Sequence, residues 1–219
     1  MLLPPLALSL WVALWATLLA LLVGLPLAWL LARRPFRGRD LLTILILLPM
    51  VLPPTVLGYY LLLLVGSGGP IGQLAETLGV GRIVFTPTAA VLAAFVASAP
   101  FLVRAAQAGF EGVDPAFLDA ARTLGRGEFS IWLTITVPLA WRSILAGVAL
   151  AFARAMGEFG ATIMVAGSIP GRTRTGSIAI YDHVQAGRME EAHLLALGLA
   201  LTTVGILFLL TRVGRAPGW

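Results

Sequence analysis

The sequence predicts an all-α integral membrane protein with about five transmembrane helices. Hydrophobic residues make up 59% of the 219 residues and charged residues 11%, whereas soluble domains average about 25% charged residues. The mean hydropathy is +0.95. Apolar runs recur at roughly the 20-residue length that a bilayer core about 30 Å thick requires of a helix. Because the chain has no cysteine, disulfides and thiolate metal sites are excluded.

Five spans are expected, joined by short polar segments. They cover residues 6–32, 41–65, 88–103, 143–166 and 193–210. The first span is expected to be a retained helix and not a signal peptide, because its arginines follow the apolar stretch instead of preceding it. No loop is long enough to form a second domain, so residues 1–219 are expected to form a single transmembrane domain.

Arginine placement predicts the orientation of the chain in the membrane. With the N-terminus outside, ten arginines fall in inner segments and four in outer ones, which is the bias of the positive-inside rule. The inner set is Arg33, Arg34, Arg37, Arg39, Arg104, Arg122, Arg126, Arg142, Arg212 and Arg215. The outer set is Arg82, Arg172, Arg174 and Arg188. After five spans the C-terminus is expected inside.

The inner loop, residues 104–142, contains strong local helix signals. Asp114 is a good N-cap, Pro115 suits the first helical position, and Gly125 suits the left-handed position after a helix. They predict a helix of about ten residues, which is marginal alone in water. Its apolar stripe, expected to dock on a surface, is formed by Phe117, Ala121 and Leu124. That surface is either the membrane or a cytoplasmic partner.

The residues around this helix have a distinctive spacing. The chain reads Asp119-Ala120-Ala121, then Gly125 after three residues, then Ile135-Thr136-Val137-Pro138 after nine more. This pattern resembles the cytoplasmic signature of permease subunits of binding-protein-dependent ABC importers, which has Glu and Leu where this chain has Asp119 and Val137. The resemblance implies an ABC importer permease fold whose short coupling helix binds a groove of the ATPase subunit. The residues it assigns to this coupling are Phe117, Asp119, Ala120, Ala121, Leu124, Gly125, Ile135 and Pro138.

Further segments resemble a narrower group, the molybdate permeases. They are residues 48–60, 153–162, 169–175 and 179–181. The resemblance implies import of molybdate or tungstate across a bacterial inner membrane. Sulfate permeases share the Gly-Glu-Phe-Gly core at 157–160, so sulfate, thiosulfate or another oxyanion is the alternative substrate. Molybdate is favoured because sulfate permeases are usually longer.

The resemblance also implies the partners of the chain: a second copy forming a homodimer, two cytoplasmic ATPase subunits, an external molybdate-binding protein, and membrane lipid. This chain lacks a Gly-x-x-x-x-Gly-Lys-Ser/Thr loop, so ATP and Mg²⁺ are expected on the partner. The chain itself is expected to bind no cofactor or metal and not to be an enzyme. Topology explains the net charge of +5, so no nucleic acid is expected. Composition alone also permits a channel or secondary transporter, but neither needs a capped inner helix.

Two charged residues and two prolines stand within the predicted spans. Arg154 and Glu158 are four residues apart in the fourth span and can neutralise each other. They are either a fixed ion pair that holds helices in register or a gating element beside the solute path. Pro53 and Pro54, followed by Thr55, interrupt the second span. That interruption is either a kink lining the path or a packing kink.

The remaining expectations concern helix faces and the outer loop. In the fourth span, small residues with Arg154 and Glu158 are expected to face inward. The bulky residues expected on the opposite, lipid-facing side are Leu145, Phe152, Met156, Phe159 and Ile163. Outside, Arg172 and Arg174 are candidate contacts for an oxyanion or for an acidic rim of the binding protein, although exposed arginines are more often simply solvated.

Overall fold

The computed structural model describes residues 3–33 and 35–215, without the side chains of Leu3 and Arg215; Arg34 of the inner arginine set lies outside the described residues. Within these residues all regular structure is helical. The α-helices are α1 (Leu3–Arg33), α2 (Arg39–Val51), α3 (Pro54–Val65), α4 (Pro70–Thr77), α5 (Pro87–Glu111), α6 (Pro115–Thr123), α7 (Glu128–Ile131), α8 (Val137–Met156), α9 (Gly160–Ala166), α10 (Gly176–Gln185) and α11 (Met189–Arg215). A π-helical turn, Trp132–Thr136, joins α7 to α8.

Two buried clusters define the two ends of the helix bundle. Near one end, Ala28 of α1 packs with Val103 of α5 and Ile144 of α8. Near the other end, Ala13 of α1 packs with Ala90 of α5. We call the first the arginine-rich end, because α6 and most of the predicted inner arginines lie there. Helices α1 and α5 are therefore parallel.

The described part of the chain traverses this bundle five times. Helix α8 runs opposite to α1, because Ile144 lies in the cluster at the arginine-rich end and Phe152 in the other. Helix α11 runs parallel to α1, since Leu199 contacts the far cluster and Gly214 approaches Leu145 near the start of α8. The start of the first helix and the end of the last helix thus lie at opposite ends of the bundle. This agrees with an odd number of crossings.

The second traverse is made by two helices that meet at a sharp bend. Helices α2 and α3 are bent by 119° at Leu52–Pro53. Ile46 of α2 packs near the arginine-rich end and Leu61 of α3 near the opposite end. Pro53 has an extended backbone (ψ 136°) and Pro54 begins α3, as the conformational restrictions of a proline pair require. The interruption expected at these prolines is therefore present.

The fourth traverse differs from the predicted continuous span at 143–166. The apolar helix begins at Glu128, fifteen residues earlier, and ends at Met156. Gly157, Glu158 and Phe159 then break the helix, and α9 starts anew at Gly160. Hydropathy could not reveal this break, because the residues on both sides of it are apolar.

The other spans lie where the sequence placed them, with longer helices. The third runs over Pro87–Glu111 instead of 88–103, and the fifth over Met189–Gly214 instead of 193–210. Helices α1 and α5 approach closely through alanines that are at most 1% exposed, among them Ala13, Ala16, Ala93 and Ala97. Small residues at such contacts are typical of helix pairs in membranes.

Candidate coupling and translocation sites

The short helix α6 at the arginine-rich end has the caps that its sequence predicts. The Asp114 side chain accepts a hydrogen bond from the Ala116 N–H at 2.9 Å, and Pro115 occupies the first turn. Gly125 follows the helix with φ +78°, a left-handed conformation that favours glycine. Its N–H donates to the Arg122 carbonyl, and the Arg126 N–H donates to the Ala121 carbonyl. These bonds close the C-terminus of the helix.

The exposed face of α6 differs from the predicted stripe at one residue. Phe117 is 57% exposed and Leu124 is 81% exposed, whereas Ala121 is only 5% exposed. Ala121 packs with Leu118 and Ile131 against the rest of this chain. The large side chains of the exposed apolar face are therefore Phe117 and Leu124. The sequence missed this because the apolar spacing 117–121–124 does not distinguish a face turned to the chain from one turned outward.

A concave surface lies beside this exposed face. It has a volume of about 610 Å³, and five of the predicted coupling residues line it: Phe117, Ala120, Ala121, Leu124 and Ile135. Asp119 and Pro138 are also exposed. The structure thus gathers five of the predicted coupling residues, which are separated by up to eighteen positions, around one concave surface.

Arg122 connects α6 to the beginning of the fourth traverse. Its Nε lies 2.7 Å from Glu128 Oε1 and its NH1 lies 2.7 Å from Asp119 Oδ1. The hydrogen bonds with Glu128, and then those with Asp119, raise the pKa of the Arg122 guanidinium. Glu128 is the first residue of α7, and α7 continues through the π turn into α8. Arg122 therefore joins α6 to the helix that leads to Arg154.

Arg154 and Glu158 form an ion pair at the break after α8. Arg154 NH1 lies 2.6 Å from Glu158 Oε2, with the two side chains 28% and 1% exposed. The other carboxylate oxygen accepts a hydrogen bond from the Ala161 N–H at 2.8 Å, and the Ser177 hydroxyl donates to the Glu158 carbonyl at 2.7 Å. Glu158 therefore lies outside α8 and caps α9, a role the sequence reading did not assign to it.

The breaks of the second and fourth traverses meet. A Cβ atom on Gly160 would lie 2.6 Å from Pro54 Cβ, and one on Gly58 would lie 2.7 Å from Met164 Cβ. These distances are shorter than Cβ atoms tolerate, so both contacts depend on glycine. Pro53, Pro54 and Thr55 remain exposed next to this contact. Irregular backbone at membrane depth requires cover from protein or from a water-filled cavity.

The lipid-facing side predicted for the fourth span is wrong at Phe152 and Met156, whereas Leu145, Phe159 and Ile163 are partly exposed. Phe152 and Met156 are each 2% exposed and belong to the buried cluster far from the arginine-rich end. Gly147 and Ala151 of the predicted inward stripe are also buried. Both faces of this part of α8 are covered by the chain, because α8 packs between α1, α5 and α11.

At the opposite end of the bundle, the two outer arginines that the sequence offers as candidate contacts, Arg172 and Arg174, differ in their surroundings. Arg172 is exposed. Arg174 is engaged within the chain: its Nε lies 3.0 Å from Asp182 Oδ2 and donates to the Ser168 hydroxyl at 3.0 Å. Arg174 also lines a cavity of about 870 Å³ together with His183 and Glu191. No three His, Asp or Glu side chains among the described residues are grouped to hold a metal ion.

Sequence reasoning missed several residues that hold these sites in place. Arg33 entered only as a topological charge, yet its NH2 donates to the carbonyls of Phe110 at 2.6 Å and Val113 at 2.9 Å. It thereby ties the end of α1 to the segment before α6. Its position as the last residue of an apolar helix was the available signal, because arginine there can bind helix C-terminal carbonyls. For Gly160 the sequence carried no signal of its close contact other than the residue type.

The sequence of this chain is similar to those of known membrane transport proteins. Residues 24–216 match the family described as binding-protein-dependent transport system inner membrane component. The chain is 44% identical to the molybdenum transport system permease protein ModB of Escherichia coli (strain K12) over 213 residues, covering 95% of this chain and 93% of that protein. It is 43% identical to ModB of Azotobacter vinelandii over 194 residues, covering 89% of this chain and 86% of that protein.

A solved structure has the same helix arrangement. The MetNI methionine ABC transporter, solved in inward-facing conformations, superposes with a TM-score of 0.78 and covers 100% of this chain and 97% of that chain. Sequence identity to it is 16%, so this likeness concerns the fold alone.

Proposed function

We propose that this chain, which belongs to the family of binding-protein-dependent transport system inner membrane components, is the membrane permease subunit of an ABC importer for molybdate. One observation carries the proposal: more than 40% identity to molybdenum transport permeases over nearly the whole of both proteins. Tungstate has the same oxyanion chemistry and is included. The two broken traverses that meet beside an ion pair support the assignment, since they provide irregular backbone at membrane depth.

The arginine-rich end is proposed to face the cytoplasm. This orientation follows from the ten-to-four distribution of arginines, and it puts α6 on the side where ATP is available. The start of α1 then lies outside and the end of α11 lies in the cytoplasm of a bacterial inner membrane.

Helix α6 is proposed as the coupling helix. Phe117 and Leu124 are large apolar side chains exposed beyond the bundle, and their burial in a groove of an ATPase subunit would stabilise the complex. The ion pairs of Arg122 with Asp119 and Glu128 then carry displacement of α6 into α7 and along α8. The far end of α8 holds the Arg154–Glu158 pair, so motion of the ATPase reaches the break in the fourth traverse.

A second copy of the chain is proposed to complete the path. The exposed residues Pro53, Pro54 and Thr55 and the partly exposed Arg154 lie around the meeting point of the two breaks. Backbone interrupted there needs cover, and a homodimer with a two-fold axis along the membrane normal supplies it with the same surface twice. Because Arg154 is paired with Glu158, each copy would bring guanidinium N–H donors to the path without a net charge, and these donors could face an oxyanion.

The remaining parts are assigned to partners. ATP and Mg²⁺ would bind two ATPase subunits, because this chain has no phosphate-binding loop of the Gly-x-x-x-x-Gly-Lys-Ser/Thr type, and the chain would bind no cofactor and act without catalysing hydrolysis itself. An external binding protein would deliver the anion and supply tight selection. Arg172, which is exposed, is the better candidate for its contact, since Arg174 is already paired with Asp182.

The test is transport by the reconstituted complex of this chain, its ATPase and its binding protein in proteoliposomes. Molybdate should stimulate ATP hydrolysis and accumulate inside, tungstate should compete, and sulfate should do neither. Uptake of sulfate in preference to molybdate would replace the substrate. Anion flux that persists without ATP would favour a channel or secondary transporter and contradict the importer assignment.

A further inference from the structure

A furrow opens at the arginine-rich end between α1, α6 and α7. It consists of two adjoining cavities of about 320 and 350 Å³, which share Trp29 and Glu128 as lining residues. We call the two together the interfacial furrow. It lies on a different side of α6 from the concave surface beside Phe117 and Leu124, because Leu118 and Arg122 line it.

Two of the helices that form the furrow line it with residues from one side of each helix. Helix α1 contributes Pro26, Trp29 and Arg33, at steps of three and four residues, and α6 contributes Leu118 and Arg122, four apart. Residues at these spacings share one side of a helix.

The segment from α7 into the π turn supplies the remaining wall. Glu128, Phe129 and Trp132 line this part, and the rings of Phe129 and Trp132 lie 5.8 Å apart. The furrow is thus built where the last turn of a membrane span meets two loop helices.

The two halves of the furrow differ in chemistry. One half holds the charged groups of Arg33, Arg122 and Glu128. The other is walled by Pro26 and three aromatic side chains. Tryptophan is enriched at the level where the hydrocarbon core meets the head groups, and basic pockets between membrane helices on the cytoplasmic side bind lipid head groups.

Two hydrogen-bond donors on residues that line the furrow have no acceptor. The Nε of Arg33 and the Nε1 of Trp132 are buried and lack a partner among the described residues. Arg122 is engaged by Asp119 and Glu128, whereas Arg33 uses its NH2 for the carbonyls of Phe110 and Val113 and keeps Nε unbound. Buried donors without acceptors are costly. Both are N–H groups, so an occupant must supply acceptor oxygens and also fill an apolar groove.

From this combination we infer that the interfacial furrow binds one phospholipid molecule, with its phosphate and ester oxygens at Arg33 and Trp132 and an acyl chain along Trp29 and Phe129. The inference extends beyond transport and does not depend on which anion is imported. It gives the lipid a structural consequence, because the furrow joins the end of α1 to the helix that we propose to contact the ATPase. The bound lipid would brace α6 against α1.

The probe is phosphatidylglycerol, compared with diacylglycerol that has the same acyl chains and no phosphate. The full chain is purified in detergent, stripped of lipid and titrated, and bound lipid is counted by native mass spectrometry. One phosphatidylglycerol should bind in preference to diacylglycerol. It should also raise the melting temperature.

Two variants test the placement. Trp132→Phe removes only the unpartnered N–H and keeps an aromatic ring, and Phe129→Ser removes part of the apolar wall at a residue that is 73% exposed, so both should fold. Each should weaken phosphatidylglycerol binding about tenfold, the usual scale for one hydrogen bond to a charged group or one buried aromatic side chain. The matched control is Trp15→Phe, an exposed tryptophan nearer the opposite end, which should bind as the unmodified chain does.

Four results would overturn the inference. The first two are equal binding of phosphatidylglycerol and diacylglycerol, and unchanged phosphatidylglycerol binding by both variants. The third is a rise in melting temperature with inorganic phosphate equal to the rise with phosphatidylglycerol. The fourth is displacement of the lipid when the ATPase binds. The third would mean a free anion site, and the fourth would mean that the furrow is part of the protein partner's docking surface. Failure of molybdate uptake would leave all of these measurements unaffected, so the two proposals fail independently.

Discussion

Removing Arg154 should expose the dependence of the fourth traverse on a buried charge. Arg154→Met leaves the Glu158 carboxylate, whose side chain is 1% exposed, with the Ala161 N–H as its remaining partner. Breaking a buried ion pair by removing one partner costs about 3–5 kcal/mol. Because the Arg154 side chain is 28% exposed, we expect the lower end, about 3 kcal/mol, or a melting temperature about 6–12 °C lower for a chain of this size.

The double variant separates the charge from the side chain. Glu158→Gln keeps an oxygen that can accept the Ala161 N–H and removes the charge, so combining it with Arg154→Met should restore about 2 kcal/mol of the loss. Thermal unfolding is monitored by fluorescence or aggregation in one detergent. It compares the two single variants, the double variant and the control with the unmodified chain. The control is Arg172→Met, because Arg172 is exposed and should change stability by less than about 0.5 kcal/mol. Additive losses in the double variant would refute the coupling of these two residues.

Three further predictions test the helix contacts and the topology. Gly160→Ala should lower the free energy of unfolding by about 1–3 kcal/mol, because its methyl group would overlap the proline ring of Pro54 in α3. The control is Gly157→Ala, whose added Cβ would have its nearest neighbour at 3.8 Å. Equal effects of the two substitutions would contradict the close contact. Gly125→Val should cost about 1–2 kcal/mol in the left-handed conformation and lower both ATPase association and anion-stimulated hydrolysis. Gly127→Ala, with φ −72° and open space, should leave both at the unmodified level, and unimpaired coupling in Gly125→Val would count against α6 as the coupling helix. Reporter fusions should alternate between inside and outside, starting inside, and an even number of crossings would refute the orientation. They are placed after Arg39, Gly69, Arg126, Gly171 and Arg215.

The sequence was sufficient wherever a structural feature depends on local chemistry. The caps of α6 at Asp114 and Gly125 are satisfied by backbone groups within four residues, so the residue types alone predict them. The approximate positions of the spans other than the fourth follow from hydropathy, because a membrane helix must satisfy its own backbone and expose apolar side chains. The pairing of Arg154 with Glu158 follows from their separation of four residues, although the helix breaks between them.

Tertiary packing decided the features that involve two distant segments. The break at Gly157–Phe159 lies where α9 packs against α3 and Gly160 meets Pro54, and hydropathy alone does not mark it. The burial of Ala121, Phe152 and Met156 was equally invisible, because the side of a helix that is covered depends on its neighbours. In a membrane protein this ambiguity is acute: apolar side chains suit both the lipid and the protein interior, so hydropathy gives the spans but not their inward faces.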